Sequence, residues 1–498
     1  MNRGTTIERQ AVALWTANAL DFALQILLPV VLARTLSVES FAHYRLLWLS
    51  VATVMTLTPL GMPYSLYYFL PRSDAATKRL YINQTLVFLA LAGIVSAWIL
   101  SPWDPWLPQT MRDISSHEGL VPAFVLLWIV ASLLDLLPTA EARVKWQANT
   151  TVGLSALRAV SMSAAAVLTH ELDAVLLTLL GFVVFKLALL LAYLLRHHGL
   201  RGPVLRPAAF GDQIRYAAPF GISGALHGLR GQTDQWVVAA LFPLSQFAAF
   251  SVAAVISPMV TLFRQSCSSV FLPSMSRMQS NGEVNAMLGL NNRANMLVAA
   301  ITFPLLAFCF VFADPLITLI YTSAYREAVP VMRVYVACNV IFVVELNSML
   351  MLYRQGGFAL RVNLLALVVS VPMSIAGALL FGLPGAVAGN VSSILVGRLV
   401  TLRRVSTLTG VGMRKLQDWK GLVSVLVAAS ASAAVAAALI WKTGFAPGHP
   451  LVELAAGAAC IALAYSGALF LVGQRRLLTD LIGLVLHPRQ PASSPITE

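Results

Sequence analysis

The chain has 498 residues, of which 58% are hydrophobic and only 11% are charged. This composition excludes an ordinary soluble enzyme and is typical of a protein that crosses a membrane many times. The formal net charge of +13 comes from basic residues spread over many short loops, which argues against a nucleic-acid-binding face and is explained by loops that contact a membrane surface.

Apolar segments of about twenty residues, the length that crosses a bilayer, recur along most of the chain. Hydropathy predicts about fourteen transmembrane helices, so we expect an all-α polytopic membrane protein. Loops rich in Lys and Arg alternate with loops that hold few, and the positive-inside rule then places both termini in the cytoplasm. The predicted helices lie near residues 11–33, 44–66, 82–100, 120–138, 152–169, 174–195, 216–240, 247–271, 294–313, 330–352, 362–381, 386–402, 420–440 and 452–472.

Two stretches roughly two hundred residues apart contain an aspartate, an aromatic-alanine pair and a Phe-Leu-Pro run in the same order: Asp21, Phe41-Ala42 and Phe69 to Pro71 in the first, and Asp234, Phe247-Ala248 and Phe271 to Pro273 in the second. Six predicted spans separate their first helices, and because this number is even the two copies have the same orientation in the membrane. We therefore predict two six-helix lobes related as parallel repeats, followed by two further helices. The predicted divisions are an N-terminal lobe at 1–200, a C-terminal lobe at 201–410, two extra transmembrane helices at 411–480 and a disordered cytoplasmic tail at 481–498.

The motifs that begin each half form a recognisable set: Arg34-Thr35-Leu36, Phe41 to Tyr44, Gly61-Met62-Pro63, Phe69-Leu70-Pro71, Pro219, Asp234 and Phe247 to Phe250. Together they resemble the polysaccharide transporter branch of the multidrug, oligosaccharidyl-lipid and polysaccharide (MOP) flippase superfamily, although that branch often has glycine where this chain has Ser37 and Ala42. The resemblance implies a bacterial inner-membrane flippase that moves undecaprenyl-pyrophosphate-linked oligosaccharides between leaflets, with no covalent step, no catalytic residues and no cofactor. It also implies polysaccharide polymerases and chain-length or export proteins as partners.

Five basic residues fall inside predicted spans, where a charge costs at least about 2.5 kcal/mol and normally faces a partner or a water-filled cavity. They outnumber the acids there, and a surplus of guanidinium groups suits a phosphorylated cargo. These candidate substrate-binding residues are Arg158, Lys186, Arg230, Arg264 and Arg398. An internal ion pair between Arg230 and Asp234 is an alternative, as is snorkelling of Arg264 and Arg398 to the interface.

Acidic residues in the spans supply a second function. A carboxylate in a low-dielectric cavity can take up a proton or sodium ion and release it when access switches. The alternative is structural, with each acid neutralising a buried base. The candidate ion-coupling residues are Asp21, Asp135, Asp234 and Glu345. Helical spacing predicts that Asp21 shares a face with Asn18 and Gln25, that Asp135 shares one with Ser132, and that Glu345 shares one with Ser348.

The sequence contains no Walker loop, no HExxH pattern and no nucleophile elbow, and it shows no cluster of metal-ligand residues. We therefore expect neither an enzyme nor a metal protein. Two other functions stay open beside the flippase: a cation-coupled multidrug exporter of the same superfamily, and a membrane scaffold for a glycan assembly complex that transports nothing.

Overall fold

A computed structural model of the chain describes residues 3–101, 120–199, 202–443 and 449–471. These residues are helical apart from short turns, and no strand occurs among them. The all-α fold is thus confirmed, and each of the fourteen predicted spans overlaps a helix. By length and hydropathy, ten helices of the described residues could cross a membrane, or eleven when one bent pair is counted as a span.

The chain divides into two compact units, Met1–Ser251 and Val252–Glu498. The first unit contains α1 (Arg3–Thr35), α2 (Val38–Leu57), α3 (Met62–Phe69), α4 (Ala75–Ile99), α5 (Leu120–Ala131), α6 (Leu137–Ala140), α7 (Val144–Thr169), α8 (Leu172–His197), α9 (Pro207–Leu241) and most of α10 (Leu244–Ala253). The second contains α11 (Ile256–Ser280), α12 (Val284–Val311), α13 (Ala313–Ile320), α14 (Ala328–Asn339), α15 (Asn347–Leu352), α16 (Gly356–Thr409), α17 (Trp419–Thr443) and α18 (Pro450–Leu471).

In the first unit, α1 packs along α7, α5 packs on α4 and α8, and α9 packs on α2 and α3. The predicted division at residue 200 assigns α9 to the second lobe, and that division of the chain stays a prediction. The predicted tail at 481–498 lies outside the described residues.

The second predicted span bends by 46° between α2 and α3. Two successive residues with positive φ, Leu60 (46°) and Gly61 (72°), make the bend. Helix α9 crosses directly over this bend. Its Gly221 lies so close to the Leu60 backbone that a Cβ on Gly221 would overlap the carbonyl carbon of Leu60. The absence of a side chain at Gly221 therefore permits the contact between α9 and this bend.

The second unit contains a helical hairpin within α16. Gly382 has non-helical dihedral angles (φ 66°, ψ −151°) and interrupts the helix. Gly377 lies against Gly385, and Gly389 lies against Met373, so the two halves run antiparallel with their backbones in close contact. The sequence predicted two helices here, at 362–381 and 386–402, and the break at Gly382 lies between them.

The last two helices belong to the second unit. Helix α17 packs on α12 and α18, with Ala429, Ala433 and Ala436 buried in its alanine-rich stretch. Phe312 is fully buried beside them, and a Cβ at Gly457 of α18 would lie 2.6 Å from its ring. The small residues of both helices thus serve close helix packing in the described structure.

Candidate functional site

The first unit encloses a cavity of about 380 Å³ whose lining is largely polar. Most of its lining comes from α1, α7 and α8, and the rest comes from α3, α5, α6 and the 3₁₀ turn Ser132–Asp135 that follows α5. Four of the nine charged residues predicted to act in transport line it, namely Asp21, Asp135, Arg158 and Lys186. The fold therefore brings together residues that are up to 165 positions apart in sequence.

The first ion pair in this cavity joins α1 to α7. Arg158 Nη2 lies 3.8 Å from Asp21 Oδ1, and the side chains are 14% and 25% exposed. Asp21 also accepts hydrogen bonds from Ser155 Oγ and from Gln25 Nε2, the latter at 2.7 Å. The Arg158 guanidinium lies 6.0 Å from the ring centre of Trp48, within the range of a cation–π contact. Asp21 is thus held by three partners while one carboxylate edge stays accessible from the cavity.

The second ion pair joins α8 to the end of α5. Lys186 Nζ donates to Asp135 Oδ2 at 2.7 Å. The lysine also lies 4.9 Å from the ring centre of Trp128. The α-helical part of α5 ends at Ala131, and the 3₁₀ turn that follows presents Asp135 to the cavity.

The charges in this cavity are balanced. Its lining has two aspartates and two basic residues, all four of them paired. The surplus of positive charge expected from the sequence is therefore not found in this cavity. Any net charge that a bound molecule meets here depends on whether the two carboxylates are ionised or neutralised.

A larger cavity of about 760 Å³ in the same unit shares Tyr67 and Asp135 with the first. It lies beside the bend between α2 and α3 and is bounded on the other side by α9. Its lining includes exposed aromatic residues, among them Tyr64, which is 67% exposed, and Phe220, which is 69% exposed. We call the first cavity the charged cavity and the second the aromatic cavity. They are neighbours, and Asp135 lies at their junction.

Helix α9 carries two more of the predicted residues. Arg230 Nη2 lies 3.4 Å from His227 Nδ1, one turn away. Asp234 is 2% exposed and accepts a hydrogen bond from the Gln235 amide at 3.0 Å. Neither residue lines the charged cavity, so their roles in transport stay predictions.

The second unit contains a separate buried polar network. Arg264 of α11 forms an ion pair with Glu345, and both side chains are less than 10% exposed. The Glu345 amide donates to Asn295 Oδ1 at 3.1 Å, and Asn295 Nδ2 donates to Gln417 Oε1 at 2.7 Å. Arg398 of α16 donates to the carbonyl of Val344 next to this pair. Arg264 and Arg398 thus contact the same short segment.

The sequence predicted that Glu345 and Ser348 lie on one face of a continuous helix, and this prediction is wrong. The helix breaks at the 3₁₀ turn Val340–Val343, and Glu345 precedes α15. Its Oε1 accepts the amides of Asn347 at 2.7 Å and Ser348 at 3.3 Å. The carboxylate therefore satisfies free amides at the start of α15 in addition to pairing with Arg264.

Two tryptophans and a serine that contact the charged residues of this cavity were missed from the sequence. Trp48 and Trp128 pack edge to face at 5.2 Å between their ring centres and lie beside the two cations. Ser155 lies one turn from Arg158 on α7, a spacing that could have identified it. The tryptophans had no such signal, because aromatic residues are common in apolar spans. Among the described residues, no group of three or more His, Cys, Asp or Glu side chains could hold a metal ion.

Comparison with known proteins gives a family match and several structural matches. A family model described as polysaccharide biosynthesis protein matches residues 31–330. The lipid II flippase MurJ, solved in an inward closed conformation, matches with a TM-score of 0.70 at 14% identity, over 92% of this chain and 99% of MurJ. No curated protein matches the chain.

Two MATE transporters have the same fold. An inward-facing member of the multidrug resistance MATE family of the MOP superfamily matches with a TM-score of 0.60 at 14% identity, over 78% of this chain and 96% of that one. The MATE transporter VcmN of Vibrio cholerae matches with a TM-score of 0.52 at 15% identity, over 81% and 98%. At these identities the likeness establishes the fold.

Proposed function

Because the chain belongs to the polysaccharide biosynthesis protein family and has the MOP transporter fold, we propose that it translocates undecaprenyl-pyrophosphate-linked oligosaccharide repeat units across the bacterial inner membrane. It is a flippase-like transporter and not an enzyme, so the reaction moves the polar headgroup without breaking a bond. The product would supply the export of O-antigen or exopolysaccharide.

The observation that supports this proposal most directly is the pair of ion pairs in the charged cavity. Arg158 and Lys186 come from neighbouring helices of one cavity, and each is neutralised by a single carboxylate. A diphosphate has the oxygens to replace both carboxylates, since guanidinium and ammonium groups bind phosphate through charge-assisted hydrogen bonds. The cavity can therefore exchange internal partners for cargo without leaving a buried cation unpaired.

This exchange couples cargo to a proton or cation. With Asp21 and Asp135 ionised the cavity is neutral, and a diphosphate that enters brings uncompensated negative charge. When each carboxylate takes up a proton or a monovalent cation, Arg158 and Lys186 are released with two positive charges. Ion uptake and headgroup binding at this site then favour each other. Asp135 is the more accessible of the two acids, at 58% side-chain exposure.

The aromatic cavity suits the sugar part of such a cargo. Sugars present faces of C–H groups that pack on aromatic rings, while their hydroxyls need polar partners. Tyr64, Tyr67 and Phe220 offer rings next to the Asp135 carboxylate. A headgroup with its diphosphate near Arg158 and Lys186 would place its first sugars against these rings.

One observation favours the multidrug exporter as a second candidate. An exposed carboxylate, Asp135, at the junction of a charged and an aromatic cavity also suits an aromatic organic cation. The scaffold hypothesis requires no transport and predicts that substitutions in these cavities change nothing.

The leaflet of the lipid-linked repeat tests the proposal. Spheroplasts from cells that lack the protein are treated with a glycan-modifying enzyme supplied only from outside. Accumulation of linked repeats that the enzyme cannot reach supports the flippase, and normal access overturns it. Drug sensitivity of the same strain, with normal export, would instead favour the multidrug exporter.

The residues are tested in the same cells. An Arg158→Gln/Lys186→Gln variant should lose export at an unchanged protein level, whereas Arg215→Gln, which removes an exposed charge from α9 of the same unit, should retain it. Unaltered export by the double variant would remove the charged cavity from the mechanism.

A further inference from the structure

A third cavity of the first unit, about 420 Å³, lies at the end of the bundle where α4 begins and α8 ends. Its lining is dominated by basic side chains, Lys78, Arg79, Arg143, His197 and His198. None of them lines the charged or the aromatic cavity. We propose that this cavity is a second anion site, which binds a phosphate group at the membrane boundary and acts independently of the transport cavity.

The acid in the lining already has partners. Glu141 accepts a hydrogen bond from the Tyr193 hydroxyl, and its Oε1 lies 2.7 Å from His198 Nε2. Arg143 Nε lies 4.0 Å from the other carboxylate oxygen. Glu141 is therefore fully engaged by one side of the cavity and leaves the positive charge on the α4 side without an internal counter-ion.

That positive charge belongs to Lys78 and Arg79. Both side chains are partly buried, and within the described ranges neither forms a hydrogen bond or an ion pair. A partly buried cation without a partner loses hydration and gains nothing in return. An anion between these side chains would remove that cost.

The Arg79 side chain packs against two glycines, Gly199 and Gly202, which have no side chain where they face the arginine. A Cβ at Gly202 would overlap the Arg79 Cδ atom, and one at Gly199 would lie 3.3 Å from its Nη2. Asn83, one turn further along α4, donates to the carbonyl of Pro203 at 3.0 Å, next to Gly202. This close packing restricts the conformations open to the Arg79 side chain, which lowers the entropic cost of binding a ligand there.

The chemistry of the site selects phosphate. A planar guanidinium beside an ammonium group binds tetrahedral oxyanions through several charge-assisted hydrogen bonds. The cavity lies at the ends of two apolar helices, Ala75–Ile99 and Leu172–His197, where phospholipid headgroups are found. Phosphate from a lipid headgroup and free phosphate share this chemistry, and the experiment separates them.

The test uses the full-length protein in phosphatidylcholine nanodiscs. Binding of short-chain phosphatidylglycerol and of inorganic phosphate is measured by native mass spectrometry and by the shift in unfolding temperature. Lys78→Gln/Arg79→Gln should weaken phosphatidylglycerol binding by about tenfold or more, as expected for two lost charge-assisted contacts. Lys145→Gln/Arg196→Gln removes the same charge from exposed positions near the same end of the bundle that do not line the cavity, and should bind as the wild type does.

A second variant keeps the charge and moves it. Gly202→Ala should displace Arg79 and weaken binding even though the net charge is unchanged, which covers the case in which the double variant does not fold. Binding of phosphatidylglycerol alone identifies a lipid headgroup site, whereas competition by inorganic phosphate identifies a site for free phosphate. The proposal is overturned if neither probe binds, if Gly202→Ala and the folded double variant bind normally, or if the exposed control pair weakens binding as much.

The test of the second anion site does not depend on the flippase proposal, because the nanodisc measurement involves no translocation. Loss of phosphatidylglycerol binding with normal export would establish the second site alone.

Discussion

Lys186 Nζ and Asp135 Oδ2 are 2.7 Å apart, yet the lysine side chain is 6% exposed and the aspartate side chain is 58% exposed. The buried partner of this ion pair is therefore the cation. Its charge is compensated from the cavity side by a residue that a solute or proton can reach.

This asymmetry predicts unequal effects of the two single substitutions on stability. Asp135→Ala leaves a buried ammonium unpaired and should destabilise the protein by about 3 kcal/mol. Lys186→Met leaves an accessible carboxylate and should cost much less. Thermal unfolding in detergent compares them, and the double variant should recover most of the loss caused by Asp135→Ala. Equal losses from both single variants would contradict the asymmetry.

The crossing of α9 over the bent span predicts a position-specific effect of adding one methyl group. Gly221→Ala places a Cβ against the Leu60 backbone and should cost about 1–3 kcal/mol of stability through overpacking. Gly224→Ala, three residues further along α9, meets nothing within 4 Å and should be neutral or slightly stabilising. Their unfolding temperatures provide the comparison, and similar values for the two would show that α9 does not contact the bend this closely.

In the second unit, Glu345 pairs with the buried Arg264 and also accepts two amides of α15. Glu345→Ala should destabilise by about 3–5 kcal/mol because it removes the partner of a buried charge and the acceptor of the helix start together. Ser348→Ala, which keeps the backbone amide that contacts Glu345, serves as the control. Unfolding in detergent measures both, and a neutral Glu345→Ala would show that Arg264 finds another acceptor.

Glu141 makes stability dependent on pH. Burial alone raises its pKa, but hydrogen bonds from His198 and Tyr193 and the charges of His198 and Arg143 outweigh this, so the pKa lies below its ordinary value of 4.5. A lowered folded pKa means that the contribution is complete above 4.5 and is lost as the pH falls through the folded value.

The comparison of wild type with Glu141→Gln measures this contribution. At neutral pH the variant should be less stable by about 1.5–3 kcal/mol, the range for hydrogen bonds to a charged group. The difference should shrink when unfolding is followed down to about pH 3. A constant difference at all pH values would show that the carboxylate charge is not responsible.

The residues that the sequence singled out differ in how far the structure supports them. Asp21, Asp135, Arg158 and Lys186 were found because a charge in an apolar span is rare, and they meet in one cavity. Their pairing was left open, since hydropathy says how deep a residue lies but not which residue it faces. Glu345 was placed on a continuous helix because the segment is apolar throughout, whereas the backbone breaks before it.

The sequence by itself determined that the chain is an all-α membrane protein, where most of its helices lie, and which charged residues fall inside apolar segments. It could do so because the free-energy cost of placing polar groups in lipid depends on the composition of each segment alone. Only the tertiary structure decided that Trp48 and Trp128 flank the cations and that the charges of the first cavity are balanced. It also decided that Lys78 and Arg79 line one cavity with Glu141, which already has partners. Those relationships depend on the rotation and crossing of helices far apart in sequence, which are set by side-chain packing and not by the hydropathy of any one segment.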